Sequence, residues 1–353
     1  MKLQLSQQCN FRCEYCPYSG GYINRSHSNK RMDLSTALKG IDFFISHSKN
    51  SKLLAIGFYG GEPLIEFDLI KKCIKYAEEK SEGKDVRFII TTNGSLLSKD
   101  VVEFLSKHNV DLTISLDGPE EIHDIHRKLA LNNKGSFNKV INNVANIEKN
   151  YPDFFEKIQF NAVIDPQNDF CSIDDFFANN ELVKDVSLTA SIVSKNYSKS
   201  EISISKDYYR KTEYELFKIY YYALIRRKST SKCSKIMLKS YTKALSFARN
   251  LVPQEKLSEK MHHSGPCIPG VRKLFIDTDG FFYPCEKVSE TSNLMKMGHI
   301  DTGFNVSKVR KILNIGQVND TACKNCWNIK LWYYVKKKYK LNSDKLYYYI
   351  FHS

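Results

Sequence analysis

Over 353 residues, 42% hydrophobic and 26% charged, the chain is long enough to bury a substantial core, which excludes a disordered tail and a small disulfide-stapled scaffold. Lys and Arg outnumber Asp and Glu by 53 to 39, a net charge of +14, which suits an acidic partner such as a peptide, a nucleic acid or a phosphate-rich ligand without choosing among them. No stretch approaches the roughly 18 uninterrupted apolar residues of a membrane helix, and the opening MKLQLSQQCN has too short an apolar run for a signal peptide. A cytoplasmic protein with no membrane partner is expected.

Ten cysteines in such a chain read as reduced thiols, several of them metal ligands, rather than as disulfides. The first expected element is a short strand at Leu3 to Ser6. Directly after it come Cys9, Cys13 and Cys16, spaced x3 and x2, with Tyr15 just before the last of them. Three thiolates on one loop can hold three irons of a cubane cluster and leave the fourth iron open to a small chelating ligand. At this loop the sequence resembles the radical S-adenosylmethionine superfamily. The resemblance implies a [4Fe–4S] cluster on Cys9, Cys13 and Cys16 that cleaves S-adenosylmethionine to a 5′-deoxyadenosyl radical. A zinc site one ligand short, or a cluster used only for electron transfer, competes for the three cysteines taken alone.

Further strands are expected at Leu54–Tyr59, Phe88–Thr92, Leu112–Leu116, Gln159–Ile164 and Val186–Ile192, alternating with amphipathic helices at Ser35–Ser46, Asp68–Glu82, Lys99–Lys107 and Asn138–Lys149. This alternation predicts an α/β fold with parallel strands and crossover helices. Six strands before residue 200 match the partial (β/α)6 TIM-like barrel that the resemblance implies for residues 1–200.

Sites of βα barrels form at the C-terminal ends of the strands. After the second strand, Gly60-Gly61-Glu62-Pro63 resembles the superfamily's element for the methionine group: small residues let the backbone approach its amino group, and Glu62 can accept a hydrogen bond from it. Thr91-Thr92-Asn93-Gly94 ends the third strand. Ser115-Leu116-Asp117-Gly118-Pro119 ends the fourth, with His123, Asp124 and Arg127 close behind. By the same resemblance Thr92, Asn93, Ser115 and Asp117 are cofactor contacts, Ser115 at the ribose, and Arg127 pairs with the methionine carboxylate, which suits a guanidinium. Asn161 and Val163 are adenosine-site candidates. Ordinary turn chemistry is the alternative for Asn93-Gly94 and Asp117-Gly118-Pro119.

Residues 201–262 read as a helical connector, with helices over Tyr208–Arg226 and Lys235–Asn250. Lys273 to Cys285 reads as a β-hairpin turning at Asp279-Gly280, and Gly298 to Asp301 as a strand and turn. With Cys267, Cys285, Cys323 and Cys326, this part resembles the SPASM and twitch auxiliary-cluster domains. The resemblance implies a small C-terminal iron–sulfur domain over 263–335 with one further [4Fe–4S] cluster on those four cysteines. It departs from the full SPASM pattern in having no cysteine after Cys326. A structural zinc would use the same four thiolates. Residues 336–353 read as an aromatic and basic helical tail.

Taken together, the resemblance implies a maturase acting on a ribosomally made peptide, by thioether or other cross-link formation. A sulfatase-type maturase making formylglycine from Cys or Ser, or a peptide epimerase, is the alternative. A zinc-containing nucleic-acid binder is remote, because it leaves the Cys9–Cys16 loop and Gly60–Pro63 unexplained. Glu286, next to Cys285, is a base candidate if burial raises its pKa; a surface pair with Lys287 is the plainer reading. Cys233 is the candidate hydrogen-atom donor of an epimerase, and Cys73 reads as core. Implied partners are a precursor peptide or protein substrate and an electron donor such as flavodoxin or ferredoxin. Only eight residues precede Cys9, so any leader is expected to dock on the barrel and cap or on a separate leader-peptide-binding protein.

Overall fold

In the first strand, β1 (Lys2–Ser6), Leu3 and Leu5 are fully buried on one face and Gln4 and Ser6 on the other. A strand covered on both faces is the mark of a parallel sheet clothed by helices. The computed structural model describes residues 1–81, 83–194, 197–225, 233–249, 270 and 273–313. Within them β2 (Leu53–Gly60), β3 (Asp85–Thr92), β4 (Val110–Ser115), β5 (Gln159–Ile164) and β6 (Ser187–Ile192) follow β1 in chain order, each parallel to the one before.

The crossovers are helical, and their apolar residues fall at helical spacing. α1 (Leu34–Ser46) starts where Asp33 caps the amide of Thr36 and buries Ala37, Gly40 and Ile41. α2 (Phe67–Lys80) buries Ile70, Cys73, Ile74 and Ala77, so Cys73 is core as expected. α3 (Lys99–Lys107) buries Val101, Val102 and Leu105. Between β4 and β5 lie α4 (Glu120–His126), α5 (Phe137–Asn150) and the single turn α6 (Pro152–Phe155). α7 (Phe170–Asn179), capped by Asp169, leads to β6. These helices face Leu54, Ile56 and Phe58 of β2 and Val86, Phe88 and Ile90 of β3 in one continuous core. The connector holds α8 (Lys206–Tyr220), which passes into one π-helical turn at Tyr221–Ile225, and α9 (Lys235–Arg249). Among the described residues no helix is long and apolar enough to cross a membrane.

The hairpin expected near residue 280 is present as β7 (Phe275–Ile276) and β8 (Phe281–Tyr283), paired antiparallel. Asp277 closes its turn by accepting the amides of Asp279 and Phe281. Its position is new information: β7 lies parallel to β1, and the Lys2 amide donates to the Leu274 carbonyl at 2.7 Å. The hairpin thus covers an edge of β1 that would otherwise expose unpaired backbone groups. The sheet continues through β9 (Gly298–His299) and β10 (Gly303–Phe304) to α10 (Val306–Leu313). The described start of the C-terminal unit is therefore an extension of the barrel sheet. Cys267, Cys323, Cys326 and the 336–353 tail lie outside the described residues.

Candidate functional site

β1 delivers the chain to the Cys9–Cys16 loop at the C-terminal end of the sheet, and backbone hydrogen bonds fix the loop's path. Arg12 N donates to Lys128 O at 2.8 Å, Ala130 N to Asn10 O at 2.9 Å, and Glu14 N to His126 O at 3.3 Å. Phe11 is buried and bridges to Leu129. The loop is thereby joined along its length to residues 126–130, the segment that carries Arg127. Cys16 ends the loop as the cap of a 3-10 turn, Pro17–Ser19.

A Cβ added to Gly60 would lie 2.1 Å from the Ser6 carbonyl oxygen, and one on Gly61 2.2 Å from that of Gln8. The glycines are there so that the end of β2 can press against the chain entering the cysteine loop. The sequence suggested a close approach to a ligand; the structure shows a close approach of chain to chain. Glu62, 1% exposed, accepts Leu64 N (3.0 Å) and Thr92 Oγ1 (2.8 Å) on one oxygen and Asn93 N (2.7 Å) on the other. Burial raises its pKa to about 6 against these donors. Its carboxylate therefore clamps β2 to β3, with Pro63 opening the 3-10 turn beside it. Asn93 donates to Asn10 Oδ1 at 2.8 Å and accepts from Ser95, and its amide nitrogen is 3.8 Å from Cys9 Sγ. Asn10 in turn donates to Ser95 Oγ. Asn93 holds the loop in place through these bonds while Thr92 steadies Glu62, and the sequence reading missed Asn93's partners Asn10 and Ser95.

The second wall is built on Asp117. Its Oδ2 accepts Arg127 Nε at 2.8 Å and the Tyr15 hydroxyl, while Oδ1 accepts Val163 N at 2.9 Å. Arg127 lies over the Tyr15 ring, 5.5 Å from its centroid. Among the described residues, no hydrogen bond takes its Nη nitrogens. Asp117 is thus a buried junction between the cysteine loop, β5 and Arg127. Ser115 and Asn161 are neighbours in register across β4 and β5. Beside the loop, His126 stands 3.1 Å from Glu14 and 3.0 Å from Asp165.

Burial raises all three thiol pKa values, Cys13 to about 12, while the nearby Arg127 cation pulls Cys13 and Cys16 the other way. Among the described residues no three His, Cys, Asp or Glu side chains converge to hold a single metal ion. Three thiols spread round one loop do not suit a single zinc, but they fit a cluster in which each thiolate binds a different iron.

His123 supports the wall from below. It is fully buried, accepts Asp117 N at 3.3 Å on Nδ1 and meets Ser136 Oγ at 3.1 Å through Nε2, and Ser136 Oγ donates to Arg127 O. Burial first, then the Arg127 charge, lowers its pKa to about 3. Its neutral form belongs to the folded state, so its contribution is complete above the unfolded pKa near 6.5 and is lost as pH falls towards 3. Between pH 6.5 and 4 this group should remove about 3 kcal/mol of stability. Urea titrations of wild type and His123→Gln at both pH values should differ by that slope; equal slopes would contradict a neutral buried histidine.

Two expected site residues stand apart. Cys233 precedes α9, whose Lys235 ammonium donates to the carbonyls of Val183 (3.3 Å), Lys184 (2.5 Å) and Val186 (3.1 Å). These residues lead into the N-terminal end of β6, so Cys233 sits at the end of the sheet opposite the cysteine loop and is not brought to it. Glu286 pairs with Lys2 at 2.8 Å, not with Lys287. Burial pushes its pKa up, but the Lys2 charge and hydrogen bond outweigh this, and the net shift is downward. The expected upward shift is not met in this arrangement.

Residues 3–177 match the Radical SAM superfamily. The chain is 28% identical over 222 residues to a radical SAM cyclopropyl synthase, TigE, of Paramaledivibacter caminithermalis, covering 59% of this chain and 41% of that protein. It is 31% identical over 193 residues to a cysteine-type anaerobic sulfatase-maturating enzyme of Clostridium novyi, covering 46% and 50%. The matches thus span half or less of these relatives' length. A solved structure described as native anSMEcpe with bound AdoMet has the same fold, with a TM-score of 0.69 at 19% identity over 98% of this chain and 87% of that one.

Proposed function

Because residues 3–177 are a radical SAM superfamily domain, we propose that this chain is a cytoplasmic maturase that modifies a ribosomally made peptide, by thioether or other cross-link formation. What carries the reading is the meeting, at the C-terminal end of the sheet, of the Cys9–Cys16 loop, the Gly60-Gly61 seam and the buried Asp117–Arg127 pair. Cys9, Cys13 and Cys16 would hold a [4Fe–4S] cluster, which together with S-adenosylmethionine would supply 5′-deoxyadenosyl radical chemistry. The chain's own residues seat the cofactor. Arg127, fixed through Nε, would offer its Nη nitrogens to the methionine carboxylate; the Gly60–Pro63 backbone would border the amino end, and Ser115 and Asn161 would meet the nucleoside. Thr92, Asn93, Glu62 and Asp117 keep those groups in place. The reading includes an external electron donor and an auxiliary cluster on Cys267, Cys285, Cys323 and Cys326.

A second reading, oxidation of a Cys or Ser to formylglycine, draws on the likeness to the Clostridium novyi protein. An epimerase using Cys233 draws no support from that residue's position. Deuterated peptides containing Cys and Ser, incubated anaerobically with the reconstituted chain, reductant and S-adenosylmethionine, separate these cases. Deuterium should appear in 5′-deoxyadenosine, with a product lighter by the hydrogens lost to a cross-link, whereas an aldehyde product would favour formylglycine. Deuterium-free 5′-deoxyadenosine with every peptide would contradict a peptide substrate. Replacing Cys323 and Cys326 by Ala should spare 5′-deoxyadenosine formation and eliminate the peptide product.

A further inference from the structure

The Pro17–Ser19 turn and the residues after it run from the cysteine loop to a buried ionic bracket that none of the roles above uses. Arg25 and Glu290 have side chains only 3% and 7% exposed and meet at 3.0 Å through Arg25 Nε. Arg25 Nη1 donates to the carbonyls of Val288 (2.5 Å) and Asn24 (3.0 Å), and Nη2 donates to the Glu286 carbonyl. Glu290 also accepts Gln4 Nε2 from β1 at 2.9 Å and the Tyr18 hydroxyl at 3.0 Å. Its backbone is held twice: its amide donates to Asn24 O, and its carbonyl accepts the Tyr283 hydroxyl at 3.1 Å. Tyr18 lies within the 3-10 turn that Cys16 caps, and Ser19 N donates to Cys16 O at 3.0 Å. One guanidinium therefore ties the strap leaving the cysteine loop to the backbone on both sides of Lys287.

We propose that Arg25 is a positioning residue that holds the Cys285–Glu290 segment, and with it the Glu286 carboxylate and the Cys285 thiol, at a fixed place relative to the Cys9–Cys16 loop. A buried charge pair adds little net stability because desolvation offsets its attraction, but when all its acceptors are matched it selects one arrangement. The planar fork of arginine suits this task, since it reaches a carboxylate and three carbonyls at once, which an ammonium cannot do. Lys2 fixes the Glu286 side chain from β1, so backbone and carboxylate are pinned independently. The bracket stands on its own ion pair and hydrogen bonds; that it serves a radical reaction on a substrate rests on the function proposed above.

The test compares wild type with Arg25→Lys, which keeps the charge, and with Arg25→Met/Glu290→Gln, which removes both charges and so leaves no buried ion unpaired. In the full-length cluster-free chain, iodoacetamide labelling of Cys285 should accelerate about tenfold or more in both variants through local opening, while Cys73, fully buried in α2, stays protected. Amide exchange at 286–290 in the reconstituted protein should rise likewise. In the same protein, 5′-deoxyadenosine formation without peptide should stay within about twofold, and peptide product per 5′-deoxyadenosine should fall about tenfold. Unchanged Cys285 labelling, or equal opening of Cys73, would overturn the inference, the second by reducing Arg25 to a general stabiliser. Selective opening of Cys285 in a protein that never forms 5′-deoxyadenosine would uphold the bracket and overturn the radical reading instead.

Discussion

The variant Cys9→Ala/Cys13→Ala/Cys16→Ala is expected to form no detectable 5′-deoxyadenosine from S-adenosylmethionine under reducing, anaerobic conditions. These are the thiols that the loop presents at the C-terminal end of β1, and without them no cysteine on the loop can bind iron. The fold should persist, because Cys9 and Cys16 are only part-buried and the loop's path is set by backbone bonds to residues 126–130. About four irons per chain should remain if Cys267, Cys285, Cys323 and Cys326 hold a complete cubane. Chromatography of the nucleoside products and iron and zinc analysis check both statements. Retained cleavage would remove the loop from the chemistry, and zinc in place of the residual iron would make the C-terminal site structural.

Arg127→Ala should have the next largest effect, on stability and cofactor together. The Asp117 carboxylate, 3% exposed, would lose its partner cation, a loss of about 3–5 kcal/mol. Removal of both charges in Arg127→Met/Asp117→Asn should restore most of that stability, since the asparagine carbonyl can still accept Val163 N. The double variant should nevertheless bind S-adenosylmethionine weakly, by roughly 2–5 kcal/mol if the carboxylate contact is buried. Urea unfolding and calorimetric titration separate the two losses. Equal cofactor affinity in wild type and double variant would show that Arg127 acts only within the protein.

The barrel was legible because its strands are short segments with recurring apolar residues and most of its crossover helices bury residues at spacings of three and four, so pattern alone placed β2 to β6 to within about three residues. α4 escaped the pattern: it is a short segment with three acids and two histidines, in which His123 takes a core position. The cysteine spacing marked the loop, and the glycines after β2 marked a close approach, but not what was approached. Thr92, Asn93 and Asp117 stand at strand ends, where ligands bind, and their residue types cannot tell a ligand contact from a bond to a neighbouring loop. The Arg25–Glu290 pair and the pairing of β7 with β1 join residues from opposite ends of the chain, and no local pattern records them. The place of Cys233 was hidden for the same reason, since its neighbours in sequence do not reveal which end of the sheet Lys235 anchors.

A cluster on the Cys9–Cys16 loop with one iron open to S-adenosylmethionine would have a spectroscopic signature of its own. Electron paramagnetic resonance of the reconstituted, reduced full-length protein, recorded with and without S-adenosylmethionine, tests for it most directly. A [4Fe–4S] signal whose g values move when S-adenosylmethionine is added to wild type is expected, with that component missing from the triple cysteine variant. A spectrum that ignores S-adenosylmethionine, or the same shifting signal in the triple variant, would contradict it.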